Sequence, residues 1–244
     1  MSLRINKYIA AAGICSRREA DRMIAEGRVS INGAVVLLGQ TVGDDDTVSI
    51  DGVIVSKQRP PLRVLAFNKP VGVTCTAKDP HSDLIISDII TYPVRLTYAG
   101  RLDRDSEGLL LLTNDGMLIE KMMRGSHAHE KEYVVRIDRE LTAAMIAKME
   151  VGIYLKDLRI TTRPCQITPL SEDTFVIVLT QGVNRQIRRM CAACDANVIT
   201  LKRTRVLSIE LGELKSGDYR TVEGEELKEL YRYCGMDENE AVME

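Results

Sequence analysis

The densest chemical segment of this sequence is Ala99-Gly100-Arg101-Leu102-Asp103-Arg104-Asp105-Ser106-Glu107-Gly108, five charged residues in a glycine-bounded loop between apolar stretches. Loops held by strands are where catalytic side chains concentrate. Asp103 and Asp105 could be a carboxylate pair, part of a metal site, or a solvated loop, and spacing alone leaves all three open. Two further groups could do chemistry: Tyr133 in His129-Glu130-Lys131-Glu132-Tyr133, and the arginines of Gly182-Val183-Asn184-Arg185-Gln186-Ile187-Arg188-Arg189-Met190. His81, His127 and His129 have no spacing that suggests a metal or a general base. Cys191 and Cys194 form a C-x-x-C without a second pair at ligand spacing, so they are expected as reduced core residues. No phosphate-cradling glycine loop or dinucleotide fingerprint is present, and no cofactor or metal is expected.

A chain of 244 residues, 45% hydrophobic and 28% charged, is long enough for a small domain followed by a medium one. No apolar run reaches the roughly 18 residues of a membrane span, and the N-terminus lacks a signal-peptide core, so a cytoplasmic protein is expected. The net charge of −2 hides segregation. Residues 1–33 carry six basic against three acidic residues, and residues 182–206 carry six against one. Two arginine-rich stretches raise the prospect of a phosphate-binding surface.

From Val64 onward, strands are expected at Val64–Phe67, Arg95–Tyr98, Leu109–Thr113, Lys131–Arg136, Arg163–Ile167, Thr174–Leu179 and Val206–Ile209. Helices are expected at Leu84–Ile90, Met117–Met123, Leu141–Val151, Arg185–Ala193 and Glu225–Tyr233. Strands outnumber helices without alternating regularly, which favours an α+β fold.

Ahead of them, Leu3, Tyr8, Ile9 and Ala12 have helical spacing up to Gly13. Ser16-Arg17-Arg18-Glu19 is a capping box that opens a second helix, with Arg17, Arg18 and Arg22 on its polar side. Val29-Ser30-Ile31, Asn32-Gly33 and Val35-Val36 read as a hairpin. This order of elements closely resembles the S4 RNA-binding domain over residues 3 to about 53, in which a basic helix face grips RNA phosphates. Arg4, Lys7, Arg17, Arg18 and Arg22 are the residues that this resemblance gives to RNA.

Gly100-Arg101-Leu102-Asp103, followed by the run from Ser106 to Gly116, resembles the signature of RsuA-type pseudouridine synthases. Phe67-Asn68-Lys69-Pro70-Val71-Gly72, Glu130-Lys131-Glu132-Tyr133 and the 182–190 segment resemble that family's other motifs, in matching order along residues 64–222. The His129–Tyr133 and Asn184–Cys191 segments are most similar to the RluF subgroup, which modifies large-subunit (23S) ribosomal RNA. The resemblance implies a catalytic domain on a mixed, mostly antiparallel sheet and the isomerisation of uridine to pseudouridine. It gives Asp103 the role of essential aspartate, Tyr133 that of the ring stacked on uracil, and Arg188 that of the aspartate's cationic partner. Arg101, Arg104, Arg185 and Arg189 are expected on RNA, Lys69-Pro70 as an ordered strand end, and Asp105 outside the catalytic set.

The expected organisation is an S4 domain over residues 1–55, a linker over 56–63, a catalytic domain over 64–235 and an acidic tail over 236–244. The short proline-containing linker permits the S4 domain to swing. The expected partner is structured RNA, with transfer RNA as a further substrate class, and the protein is expected to act as a monomer. A non-catalytic ribosome assembly factor is the principal alternative; a base-excising hydrolase or lyase built on Asp103 would release uracil, which the family reaction does not.

Overall fold

The computed structural model describes residues 3–76, 84–123 and 129–237. His81, His127 and the end of the expected tail beyond residue 237 lie outside the described residues.

The N-terminal elements are β1 (Leu3–Arg4), α1 (Ile5–Ala11), α2 (Arg17–Ala25), β2 (Val29–Ile31), β3 (Ala34–Val35), β4 (Thr41–Val42), β5 (Val48–Ile50) and β6 (Val53–Ile54). Ser16 caps α2, its Oγ accepting from the Glu19 amide at 3.1 Å. This satisfies one of the amides that a helix start leaves unpaired. The first helix begins at Ile5 rather than Leu3, because Leu3 and Arg4 pair with Val42 and Thr41. Asn32 and Gly33 both take positive φ, 51° and 82°, as a tight hairpin turn requires. Ile5, Ile9, Ala20, Ile24, Val29 and Val48 are buried together as this segment's own core.

The larger part begins with β7 (Val64–Lys69), α3 (Ile86–Ile89), β8 (Thr97–Ala99), β9 (Glu107–Thr113), α4 (Gly116–Met123) and β10 (Lys131–Ile137). It continues with α5 (Ala143–Glu150), β11 (Tyr154–Leu155), β12 (Ile160–Thr161), β13 (Gln166–Pro169) and β14 (Thr174–Leu179). It ends with α6 (Gln186–Ala192), β15 (Val198–Val206), β16 (Ile209–Glu210), β17 (Tyr219–Thr221) and α7 (Gly224–Tyr233). One sheet runs β13-β14-β10-β15-β9-β7-β17, with β8 on β9 and β16 on β15. Its pairings are antiparallel except β15 with β9, so the fold is α+β on a mixed, mostly antiparallel sheet.

Two of the expected strands are displaced. The single strand expected at Val206–Ile209 is split, Val206 ending β15 and Ile209 opening β16 across a turn at residues 207–208, with Leu207 at φ 53°. The strand near Arg163 starts only at Gln166, because the Arg163 amide bonds the Gln181 side chain instead. Of the longest strand, β15, only the last residue, Val206, falls within an expected strand.

Helices cover both faces. Ala66, Leu109 and Leu111 pack with α4 and α7 on one side, while Leu65, Phe67, Leu110 and Leu112 pack with Val73, Leu102 and Ile86 on the other. Val135, Ile137, Phe175 and Ile177 meet α5 and α6. The long strands place Lys69, Gly108, Arg203 and Tyr133 in one transverse row, each directly opposite the next. Directly opposed residues face the same side of a sheet.

Candidate active site

The 101–108 loop leaves the sheet between β8 and β9 and is anchored by its own sequence. Leu102 is buried with Phe67, Val73 and Leu110, which sets the neighbouring Asp103 at the rim. The Ser106 amide donates to the Asp103 carbonyl at 3.1 Å, closing the turn. Gly72 clamps one flank, its amide donating to the Arg104 carbonyl at 2.7 Å while Arg104 Nε donates back to the Gly72 carbonyl at 3.3 Å. Arg188 holds the other flank, Nη2 donating to the Asp105 carbonyl at 2.7 Å.

Below the loop, the buried Arg203 donates from Nε to the Leu109 carbonyl at 2.7 Å and from Nη1 to the Arg101 carbonyl at 3.4 Å. Its Nη2 is buried without a hydrogen-bond partner. Lys69, also fully buried, donates from Nζ to the carbonyls of Pro70 at 2.8 Å and Val73 at 3.0 Å, tying off the strand end beside the loop. Burial pushes the Lys69 ammonium down, against the attraction of Asp105 and Asp103.

Over the loop lies a cavity of about 420 Å³ whose lining includes Val71, Gly72, Arg101, Asp103, Arg104 and Arg185. That volume lies within the range of small-molecule and cofactor sites, roughly 300–1,000 Å³. A larger concavity of about 610 Å³ is lined by Ser208, Glu210, Glu213, Arg220 and Glu226. Its only arginine is engaged by Glu226 at 2.6 Å, and its surplus of carboxylates is unsuited to a polyanion.

The acid partner of the site's arginines is Asp105. Arg185 reaches it with Nη1 at 3.1 Å and Nη2 at 2.9 Å, and Arg188 Nε stands 3.2 Å from Oδ2. Arg185 Nη1 is 3.9 Å from Asp103. Arg188, expected beside Asp103, is therefore ion-paired with Asp105, and Asp105 belongs to the site's wall. Burial would raise the Asp105 carboxyl, but the Arg185 hydrogen bonds and the Arg188 charge outweigh it and hold it below the ordinary carboxylate range.

Tyr133 is half-buried on β10 opposite Arg203 and packs against both the Leu102 cluster and the Phe175 cluster. Arg189 turns elsewhere, ion-paired with Asp157 and donating from Nε to the Asn184 carbonyl at 2.9 Å. Arg205 pairs with Glu130 at 3.0 Å and Glu132 at 3.6 Å. Much of the basic 182–206 stretch is thus neutralised within the chain or buried, rather than forming an open phosphate-binding face. Arg4, Lys7, Arg17, Arg18 and Arg22 are exposed on the N-terminal domain. Among the described residues only Arg22 of these five is ion-paired, to Glu19 and Glu26.

Sequence reasoning missed Arg203 and Gln186, a buried side chain whose Oε1 accepts the Val183 amide at 3.2 Å and so braces the turn into α6. Nothing local marks Arg203, since its acceptors come from the fold, whereas the partners of Gln186, Val183 and Met190, lie within its own segment. His129 is buried with its Nε2 3.1 Å from the Lys121 carbonyl, as a structural histidine would be. Cys191 and Cys194 are free thiols, Cys191 buried and pushed up to about 12 by desolvation. No three His, Cys, Asp or Glu side chains come together as a metal site among the described residues.

The RNA pseudouridylate synthase family matches residues 63–193, and the S4 domain matches residues 3–57. The dual-specificity RNA pseudouridine synthase RluF of Salmonella typhi is 39% identical over 241 residues, covering 98% of this chain and 82% of its own length. The ribosomal large subunit pseudouridine synthase B of Bacillus subtilis is 38% identical over 235 residues, with 93% and 95% covered. A crystal structure of a pseudouridylate synthase superposes with a TM-score of 0.69 at 28% identity, over 93% of this chain and 99% of the other.

Proposed function

The chain belongs to the RNA pseudouridylate synthase family and carries an S4 domain, and on that premise we propose that it converts specific uridines of large-subunit ribosomal RNA to pseudouridine, with Asp103 as the essential carboxylate. The observation that carries the assignment is the position of Asp103, on the rim of a cavity lined by Arg101, Arg104 and Arg185, with Arg185 and the neighbouring Arg188 drawn mainly to Asp105. That leaves the Asp103 carboxylate open to a substrate.

The reaction needs a group that can act at the anomeric carbon and a pocket in which the freed base can turn. Asp103 provides the first, as a nucleophile or as an acid/base. The bond from uracil N1 to the ribose breaks, the base rotates, and C5 is joined to the same carbon; the proton lost from C5 is matched by one gained at N1. Tyr133 offers its ring for stacking, a contact of roughly 1–3 kcal/mol per base, and its hydroxyl for the proton shift at C5. A base must leave its helix to be reached in this way.

Arg188 is the inward-turned arginine of α6, its side chain 15% exposed against 43% for Arg185. It supplies positive charge beside the reacting groups, while Arg101, Arg104 and Arg185 meet phosphates and Arg189, ion-paired with Asp157, stabilises the fold. Residues 1–55 act as the RNA-binding domain through Arg4, Lys7, Arg17, Arg18 and Arg22, with 56–63 as linker, 64–235 as the catalytic domain and 236–244 as tail. The protein works as a cytoplasmic monomer. No helix among the described residues is long and apolar enough to cross a membrane, in keeping with that reading.

The test is to incubate the protein with large-subunit and small-subunit ribosomal RNA lacking pseudouridine and to map the product by chemical adduct and primer extension. Transfer RNA is included as the further substrate class expected from the sequence. New stops in the large-subunit RNA support the proposal. Tight binding with no stop in any RNA or ribosomal particle overturns it in favour of an assembly factor.

A further inference from the structure

Asp105 engages the arginines of the 182–190 segment on three sides: Arg185 through both terminal nitrogens at 3.1 and 2.9 Å, Arg188 through Nε at 3.2 Å, and Arg188 Nη2 through the Asp105 backbone carbonyl at 2.7 Å. Arg185 Nη1 also stands 3.9 Å from Asp103, a long ion pair that a small rotation would tighten on the reacting carboxylate itself. The Asp105 side chain is 45% exposed at the cavity wall, where a polynucleotide would arrive. A phosphodiester has the charge and the paired oxygens of a carboxylate, and a guanidinium fork accepts either one.

We propose that Asp105 is a positioning residue for the isomerisation: it is the stand-in anion that holds Arg185 and Arg188 closer to itself than to Asp103 until a backbone phosphate of the target strand replaces its carboxylate on Arg185. This rests on the reading of Asp103 given above. The exchange leaves the two arginines pre-aimed and spares the pocket two uncompensated cations before RNA arrives. It also raises the threshold for binding, because a phosphate must outcompete an internal carboxylate already in place.

A double-mutant cycle tests this, with Asp105→Asn, Arg185→Met and the double variant compared with the full-length wild type. Affinity for a large-subunit transcript and its salt slope are measured by filter binding, and pseudouridine formation in single turnover at saturating RNA. Asp105→Asn should bind RNA at least about threefold more tightly, with a slope steeper by about 0.7–0.9 for the added phosphate contact. Its single-turnover rate should fall by roughly tenfold or more, since small misplacements of catalytic groups cost up to about a hundredfold. The gain in affinity should vanish in the Arg185→Met background.

A gain that persists without Arg185 would mean a general charge effect, and an unchanged rate, or a rate that falls together with affinity, would mean a fold contact; each overturns the proposal. Asp105→Ser takes the place of the asparagine variant, with the same expectations, should thermal unfolding show the latter misfolded. If the wild type itself forms no pseudouridine, the catalytic reading fails, while the binding half of the cycle still decides whether Asp105 competes with phosphate.

Discussion

Gly108 and Arg203 lie opposite each other on the parallel strands β9 and β15, so close that a Cβ on Gly108 would stand 2.3 Å from the Arg203 carbonyl oxygen and 2.7 Å from its amide nitrogen. Gly108 also takes φ 103°, outside the range of ordinary L residues. The glycine is what lets β15 approach β9, and that approach carries Arg203 beneath the 101–108 loop.

Gly108→Ala should therefore destabilise the protein by about 2–4 kcal/mol, through strain and a forced shift of β15. Gly116→Ala, at the start of α4 where a Cβ meets nothing within 4 Å, should stay within about 1 kcal/mol of wild type. Chemical denaturation of both variants measures the difference, and equal effects would contradict the account.

Arg203→Met would leave the Leu109 and Arg101 carbonyls without their donor while keeping most of the buried volume. Unsatisfied buried acceptors cost about 1–3 kcal/mol each, offset in part by removing a buried charge. The expected result is modest destabilisation and a larger loss of turnover, because the loop bearing Asp103 loses its support from below. Denaturation midpoints beside single-turnover rates separate the two effects; full activity in a folded variant would show that the brace is dispensable.

Burial, and after it the charge of Arg203, push the Lys131 ammonium down to about 8. Between about 8 and the unfolded value of about 10.4, the unfolded chain holds a proton that the folded protein has released, so stability from this group rises with pH across that window. Below about 8 the charged amine is held in the fold at a cost. Lys131→Met should then exceed wild type in stability at pH 7 by a margin that shrinks towards pH 10, as read from urea denaturation across that range. A margin that does not change with pH would contradict this.

What the sequence revealed follows from how local each signal is. The Ser16 cap, the Asn32-Gly33 turn and the Asp103 loop are written in a few adjacent residues, and the structure forms all three. By contrast, β15 reads Val-Ile-Thr-Leu-Lys-Arg-Thr-Arg-Val, with basic residues that look like surface. Arg203 is nevertheless 2% exposed, because its acceptors come from Leu109 and Arg101 on a neighbouring element. Asp105 reads as outside the catalytic set for the same reason: the arginines that define its role lie at the start of a helix and within it, 80 or more residues further on. Partners supplied by topology leave no trace in local spacing.

On the N-terminal domain, Arg17 and Arg18 are exposed and have no ion-pair partner among the described residues. Replacing both with alanine should weaken RNA binding and reduce the salt slope by about 1.4–1.8, at 0.7–0.9 per phosphate contact. The rate at saturating RNA should not change. Filter binding over a salt series, with turnover measured alongside, checks both parts; an unchanged slope would place the RNA elsewhere.

The central claim is that Asp103, and no other carboxylate of the loop, performs the chemistry. Asp103→Asn should bind large-subunit ribosomal RNA as tightly as the wild type and form no pseudouridine above background in single turnover, whereas Asp105→Asn should be slowed but active. Pseudouridine formed by Asp103→Asn at a rate near the wild type's would contradict the account directly.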